Sequence, residues 1–158
     1  MKMLVAYYSR TCTTKKVGDE IAAKLKADKE EVIDRKNRKG AIGYMIGGKD
    51  AMSKKLTKIN NLKKNPKNYE LLIVGTPVWG FTVTPAIRTF LTQIKDYNKK
   101  AAFFCTMGGS GDERTFNEMQ KLLPKAKLIA TLALRTIEVK NNKYGDKLSE
   151  FIKKIKNG

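Results

Sequence analysis

The chain has 158 residues, of which 41% are hydrophobic and 30% are charged. This composition excludes a disordered tail, and the length predicts one domain over residues 1–158. The chain has no histidine, which excludes Ser-His-Asp triads and histidine general bases, and its two cysteines match no metal-binding spacing. It also shows neither a long apolar run nor a signal-like start, so we expect a cytoplasmic protein without a membrane partner.

The charge is unusual, because 33 Lys and Arg residues face only 15 Asp and Glu residues and give a net charge of +18. Only six of the 33 are arginines, and the lysines are spread along the whole chain. Proteins that bind specific bases more often concentrate arginine on one element, so we expect no nucleic-acid partner. Two interpretations of the lysines remain open, namely a solvated surface and an interface that attracts acidic partners.

Hydrophobic periodicity predicts strands that alternate with amphipathic helices. The predicted strands are Met3–Tyr8, Glu30–Asp34, Glu70–Thr76, Ala101–Met107 and one contained in Leu128–Val139. The predicted helices are Thr14–Lys26, a helix that begins at Pro85, Phe116–Leu123 and Tyr144–Ile155. For the basic, glycine-containing segment Arg35–Pro66 we predict a loop followed by a helix near Lys49–Lys58. This alternation is typical of a parallel sheet that is covered by helices on both faces.

The loop after the first strand carries four hydroxyl groups in six residues and ends where a helix begins: Ser9, Arg10, Thr11, Cys12, Thr13 and Thr14. The first N–H groups of a helix lack helical partners, and the helix dipole favours negative charge there. This loop therefore predicts a phosphate site. The alternative is simple capping of the helix by Thr13 or Thr14, which needs only one hydroxyl group.

Two further loops follow the third and fourth strands, at the edge where open parallel sheets bind ligands. The first contains the only tryptophan and consists of Thr76, Pro77, Val78, Trp79, Gly80 and Phe81. Trp79 packs against a flat heteroaromatic ligand in one interpretation, whereas in the other Trp79 or Phe81 fills the core. The second loop is rich in glycine, which permits close approach of a ligand, and it consists of Thr106, Met107, Gly108, Gly109, Ser110, Gly111 and Asp112.

Residues 8–14, 75–79 and 106–112 together resemble motifs of the flavodoxin family, and the resemblance covers essentially the whole chain. It implies an α/β fold, a flavodoxin-like three-layer α/β/α sandwich with a five-stranded parallel sheet in the order 2-1-3-4-5. It also implies one non-covalent FMN, whose position at the switch point of the sheet is carried over from the family. Residues 9–14 would then hold the phosphate, and the loops at 76–81 and 106–112 would hold the isoalloxazine ring.

Three features depart from the family pattern. Cys12 stands where the phosphate loop usually has glycine, so either its side chain points away from the phosphate or the loop shifts. The loop at 106–112 has no aromatic residue, which leaves Met107, glycine backbone or a partner to cover one face of the flavin. Flavodoxins are commonly acidic, so the charge of +18 predicts a less negative potential for the second electron. For Cys12 we predict a structural role, with a reactive thiol as the alternative, and for Cys105 a place in the core.

The resemblance implies an electron-transfer flavoprotein with no catalytic side chain and no metal. Its partner would be a redox protein, for which the basic surface suits an acidic one, or a small-molecule electron acceptor. The alternative function is an FMN-dependent NAD(P)H:quinone-type oxidoreductase, although the sequence has no second dinucleotide-binding glycine motif. The oligomeric state stays open.

Overall fold

The computed structural model describes residues 1–158. The strands are β1 Met3–Tyr7, β2 Asp28–Glu31, β3 Leu71–Trp79, β4 Thr82–Val83, β5 Lys100–Met107 and β6 Lys127–Arg135. The helices are α1 Thr13–Leu25, α2 Gly40–Met52, α3 Pro85–Gln93, α4 Asp112–Leu122, α5 Thr136–Lys140 and α6 Gly145–Asn157, with a 3₁₀ turn at Pro66–Asn68. None of these helices combines the length and the apolar character that crossing a membrane requires.

Five strands form a parallel sheet in the order β2-β1-β3-β5-β6, which confirms the predicted order 2-1-3-4-5. The central strand β3 is buried from Leu71 to Thr76, because helices cover both faces of the sheet. β1 pairs with β3 in a register that aligns Tyr7 with Gly75. The direction of winding reverses between these two strands, so the loops that follow them diverge and leave a crevice at the carboxyl edge.

Separate hydrophobic cores lie on the two faces of the sheet. Phe104 of β5 packs with Ile21 of α1 and Phe151 of α6 on one face. Phe103, the preceding residue, packs with Phe90 of α3 on the other face, which α2 and α4 also cover. Neighbouring residues of a strand point to opposite faces, so β5 contributes one large aromatic ring to each core. The two cores together hold the loops at the carboxyl edge on a rigid base.

A tight hairpin extends β3 beyond the predicted strand. The prediction ended the strand at Thr76, but β3 continues to Trp79 and β4 then pairs with it in the antiparallel direction. The two turn residues both have positive φ, 54° at Gly80 and 60° at Phe81, as a two-residue type I′ turn requires. The first part of the predicted loop is therefore strand, because Thr76 and Pro77 pair with β5 and Val78 and Trp79 pair with β4.

The second strand lies earlier in the chain than predicted. The prediction placed it at Glu30–Asp34, around an apolar pair, whereas β2 spans Asp28–Glu31. β2 pairs only with β1, and it ends opposite Tyr7, the last residue of β1. The length of this edge strand is thus set by its partner, which local periodicity does not report. Val32 is nevertheless buried, immediately after the strand.

The predicted helix near Lys49–Lys58 is wrong, because α2 spans Gly40–Met52 and the chain leaves the helix after it. The glycines that suggested a loop lie inside the helix, and two of them face the protein. A Cβ atom on Gly43 would overlap the backbone of Arg38, and one on Gly47 would lie 2.7 Å from the ring of Trp79. These glycines permit close packing, which a sequence pattern does not distinguish from chain breaking.

The other predicted elements agree with the structure to within one or two residues at each end, apart from α4 and the segment that contains β6. α4 begins at Asp112 and not at Phe116, because Gly111, with φ of 105°, starts the helix four residues earlier. The predicted segment Leu128–Val139 contains all of β6 except its first residue, as predicted, and then most of the short helix α5. Helix α3 begins at Pro85 as predicted.

Candidate functional site

A cavity of about 230 Å³ lies at the carboxyl edge of the sheet, where the loops after β1, β3 and β5 meet helix α2. Eleven of the predicted binding residues line it, namely Ser9, Arg10, Thr11, Thr13, Thr14, Pro77, Val78, Trp79, Thr106, Met107 and Gly108. Seven do not line it, namely Cys12, Thr76, Gly80, Phe81, Gly109, Gly111 and Asp112. Tyr44 and Thr136 line the cavity without having been predicted.

The N-terminus of α1 reaches the cavity without a cap from its own N-cap residue. Its N-cap residue, Cys12, makes no side-chain hydrogen bond, and the first turn contains no acidic residue. The first N–H groups therefore lack helical partners, and they share the cavity with the hydroxyl groups of Ser9, Thr11 and Thr13. The Ser9 hydroxyl accepts a hydrogen bond of 3.2 Å from the N–H of Lys15. These neutral donors and the positive end of the helix dipole suit a phosphate group.

Thr13 and Thr14 lie inside α1, so neither is the N-cap that the simpler interpretation required. Thr14 is buried, and its Oγ1 atom lies 2.7 Å from Oγ1 of Thr106 in a hydrogen bond. This bond joins the start of α1 to the end of β5. Thr14 therefore positions the two loops, whereas exposed Thr11 and half-buried Thr13 offer their hydroxyl groups to a ligand.

The two cysteines differ in their surroundings. Cys12 is exposed and adopts the left-handed conformation, with φ of 66°. Glycine adopts this conformation without steric cost, which explains why glycine suits this position of the loop and why Cys12 is strained there. Cys105 is buried in β5, and burial raises the pKa of its thiol, so it stays neutral.

Trp79 is mostly a core residue. Only 5% of it is exposed, and it belongs to the core that α2, α3 and α4 cover. Its ring meets the ring of Tyr8 edge to face, with centroids 5.5 Å apart, and Gly47 of α2 packs on it as well. The structure thus favours the core-filling interpretation for most of the indole, while the small remainder lines the cavity. Phe81 lies exposed at the tip of the hairpin.

Tyr44 of α2 is the aromatic residue that the sequence analysis missed. Its half-exposed ring lines the cavity, and it lies 5.0 Å from the guanidinium carbon of Arg10 in a cation–π contact. The cavity thereby gains an aromatic wall that the loop at 106–112 does not provide. An aromatic residue in an apolar, glycine-containing stretch could have indicated a helix that packs near the site. Because a loop was predicted there, Tyr44 was not placed at the cavity.

A buried ion-pair network holds α2 at the cavity. The side chain of Arg38 donates to Asp34 at 2.6 Å and to Asp50 of α2 at 3.0 Å. Lys36 lies 2.9 Å from the same Asp50 carboxylate. Its hydrogen bond, together with that of Arg38 and against the effect of burial, lowers the pKa of Asp50 below its usual value. The network thus fastens α2 to the loop after β2 and so places Tyr44.

A second cavity of about 340 Å³ adjoins the first and shares Ser9 and Arg10 with it. Its basic lining residues are Arg10, Arg35, Lys36, Arg38 and Lys39. Tyr8 also lines it, and burial, with a contribution from the charge of Asp34, raises the pKa of Tyr8 to about 12. Tyr8 therefore stays protonated. The five basic residues make the surroundings of the loop after β1 strongly cationic.

No cluster of His, Cys, Asp or Glu side chains could hold a metal ion. The site instead combines an open helix N-terminus, hydroxyl groups and an aromatic wall at the switch point of a parallel sheet. These features are those of an α/β protein whose site suits a phosphorylated ligand with a flat ring.

The family model described as flavodoxin matches residues 2–153. The chain belongs to the flavodoxin family. No curated protein sequence matches the chain.

Three solved structures show the similarity in detail. A flavoprotein from Lactobacillus acidophilus NCFM in complex with FMN is 26% identical, with a TM-score of 0.72 over 94% of this chain and 98% of that one. A flavodoxin from Fusobacterium nucleatum bound to flavin mononucleotide is 17% identical, with a TM-score of 0.67 over 99% and 98%. An NADH:FMN oxidoreductase in its apo form is 15% identical, with a TM-score of 0.64 over 99% and 88%. The last two similarities establish the fold alone.

Proposed function

We propose that this chain binds one FMN non-covalently and transfers electrons through it. The observation that carries the proposal is the hydroxyl-lined N-terminus of α1 in the same cavity as the ring of Tyr44. FMN has a phosphate at one end and a flat ring system at the other, so these donors and this wall fit its two ends. Bound FMN supplies the redox chemistry, and the protein supplies binding and electrostatics.

The lining residues divide by chemistry into two groups. Ser9, Thr11 and Thr13, together with the guanidinium of Arg10, are suited to the phosphate, whereas apolar groups such as Val78 and Met107 are suited to the ring. The cavity of about 230 Å³ is smaller than the roughly 300–1,000 Å³ of sites that enclose a ligand. Part of the flavin would therefore stay accessible, which electron exchange with another molecule requires.

The cavity contains no carboxylate and no histidine among its lining residues. The cavity thus lacks the carboxylate or imidazole that most often acts as a general base in hydrolytic or isomerising enzymes. Electron transfer through a flavin needs no such side chain, which supports this function over other enzyme classes.

Titration of the apoprotein with FMN, followed by flavin fluorescence, tests the proposal. Thr11→Ala with Thr13→Ala removes two hydroxyl groups and should weaken binding by roughly 1–3 kcal/mol, because both would donate to a charged group. Thr131→Ala removes an exposed hydroxyl group from β6 and is the control that should leave the affinity unchanged. Equal FMN affinity of the double variant and the control would exclude the assigned phosphate site.

A second candidate function is an FMN-dependent NAD(P)H:quinone-type oxidoreductase. The observation that favours it is the adjoining cationic cavity, because Arg35 and Lys39 there suit the phosphates of a nicotinamide dinucleotide. Stopped-flow mixing of the FMN-loaded protein with NADH and with NADPH separates the two functions. Rapid loss of the flavin absorbance, slowed in the Arg35→Ala/Lys39→Ala variant, would support the oxidoreductase. Reduction of the bound FMN no faster than that of free FMN would support the electron carrier.

A further inference from the structure

Helix α2 packs small residues against the protein and exposes large apolar ones. Its buried residues are Gly43, Gly47, Asp50 and Ala51. Its outward residues are Ile42, Tyr44, Met45, Ile46 and Met52, which are 75%, 54%, 71%, 39% and 62% exposed. We call these five residues the α2 face. Helix α6, in contrast, buries Leu148, Phe151, Ile152 and Ile155. The α2 face therefore inverts the usual pattern of a surface helix, and a contiguous apolar patch of this kind marks an interaction site.

In the chain segment that carries the α2 face, every exposed charge is positive. Between residues 34 and 58 the exposed charged residues are Arg35, Lys36, Lys39, Lys49, Lys54, Lys55 and Lys58. The only acids in this segment are Asp34 and Asp50, whose carboxylates are buried against Arg38. A molecule that contacts the α2 face therefore meets apolar side chains with basic residues beside them.

The α2 face is continuous with the proposed flavin site. Tyr44 belongs to the face and lines the cavity. At the other end of the helix, Met52 packs on the hairpin turn so closely that a Cβ atom on Gly80 would overlap its side chain. Phe81, the next residue of the turn, is 58% exposed and extends the apolar surface. A molecule that covers the α2 face would thus stand at the edge of the cavity.

We propose that the α2 face docks the redox partner, a protein whose contact surface carries acidic residues around an apolar centre. The inference rests on the electron-transfer function proposed above. Protein interfaces combine an apolar, aromatic- and Met-enriched centre with a polar rim, and flexible Met side chains adapt to the partner. The neighbouring basic residues select an acidic surface, because opposite charge speeds encounter and fixes orientation.

Two other occupants match the α2 face less well. A second copy of the chain would bring the same basic residues of both subunits together, because a two-fold interface places the same patch on both. With a net charge of +18, such a contact is repulsive. An anionic lipid surface matches the charge, but it gives no reason for the face to adjoin the cavity.

The test uses a reduced, acidic plant-type [2Fe–2S] ferredoxin as the electron donor and the FMN-loaded protein as the acceptor. Stopped-flow absorbance measures the rate of electron transfer between them. Ile42→Gln with Met45→Gln should lower the second-order rate constant about tenfold or more, as expected when a central apolar contact is lost. Leu128→Gln, which changes an exposed apolar residue at the start of β6, is the control and should leave the rate unchanged. The FMN affinity of all three proteins should be equal, because none of these residues lines the cavity.

The charge is tested in the same reaction. Lys39→Gln with Lys49→Gln should slow the reaction at low salt and weaken its dependence on salt, because fewer charges remain to be screened. Lys153→Gln with Lys156→Gln changes the net charge equally on α6 and should have the smaller effect.

Equal rate constants for Ile42→Gln/Met45→Gln and for Leu128→Gln would overturn the docking proposal. If the wild type sediments as a dimer and the Ile42→Gln/Met45→Gln variant as a monomer, the α2 face binds a second copy of the chain instead. If the wild type binds phosphatidylserine-containing vesicles and the same variant does not, the α2 face binds a membrane instead. Failure of the proposed function is distinct, because the protein would then bind no FMN or would fail to reduce a small neutral quinone.

Discussion

Two adjacent glycines of α2 allow a matched test of how this helix packs. A Cβ atom on Gly47 would lie 2.7 Å and 2.9 Å from two ring carbons of Trp79, whereas one on Gly48 would meet no atom within 4 Å. The two residues share the same helix and nearly the same local sequence. Substitution of each by alanine therefore changes helix propensity equally and tertiary packing in only one case.

The expected magnitudes follow from these contacts. Alanine is more favourable than glycine inside a helix by about 0.5–1 kcal/mol, so Gly48→Ala should raise the free energy of unfolding by that amount. Gly47→Ala gains the same propensity but inserts a methyl group against a ring held by Tyr8, and overpacking costs roughly 1–3 kcal/mol. The net effect of Gly47→Ala should be a loss of about 1 kcal/mol.

Urea unfolding followed by tryptophan fluorescence measures both effects. Trp79 is the only tryptophan, so the signal comes from the ring that the new methyl group would contact. A displaced α2 also carries Tyr44 away from the cavity, so Gly47→Ala should weaken FMN binding while Gly48→Ala should not. Equal changes in stability for the two variants, or stabilisation by Gly47→Ala, would refute this account of α2 packing.

Three further outcomes are expected. Cys12→Gly should raise the free energy of unfolding by about 1 kcal/mol, because glycine relieves the left-handed strain at φ of 66°; a lower thermal midpoint would contradict this. Phe81→Gly should stabilise by a similar amount at φ of 60°, and an unchanged midpoint would show that the exposed ring compensates the strain. The pKa of Asp50 is lower in the folded protein than its ordinary value of 3.8, so its contribution to stability is complete above that pH and is lost as the pH falls further. Asp50→Asn should cost about 3 kcal/mol at neutral pH and flatten the acid limb of the stability profile, as measured by urea unfolding across pH; an unchanged limb would assign acid lability to other carboxylates.

The sequence by itself determined the class of fold and one end of the site. Apolar strands such as 71–76 and helices with apolar residues at helical spacing are local patterns, and their alternation allows few topologies. The hydroxyl-rich loop at 9–14, the proposed phosphate site, was recognisable for the same reason, because an anion site at a helix N-terminus is built from consecutive residues. These parts of the protein are encoded over short stretches of chain.

Only the tertiary structure decided the position of α2 and the opposite wall of the cavity. Gly43 and Gly47 are indistinguishable from chain breakers until Arg38 and Trp79 are seen to pack on them. Tyr44 reaches the cavity only because Asp50 holds α2 there. The partner of Asp50 is the buried Arg38, twelve residues earlier in the chain. The role of a glycine, of a buried carboxylate or of an exposed aromatic ring depends on neighbours brought by folding, and these neighbours leave no local pattern.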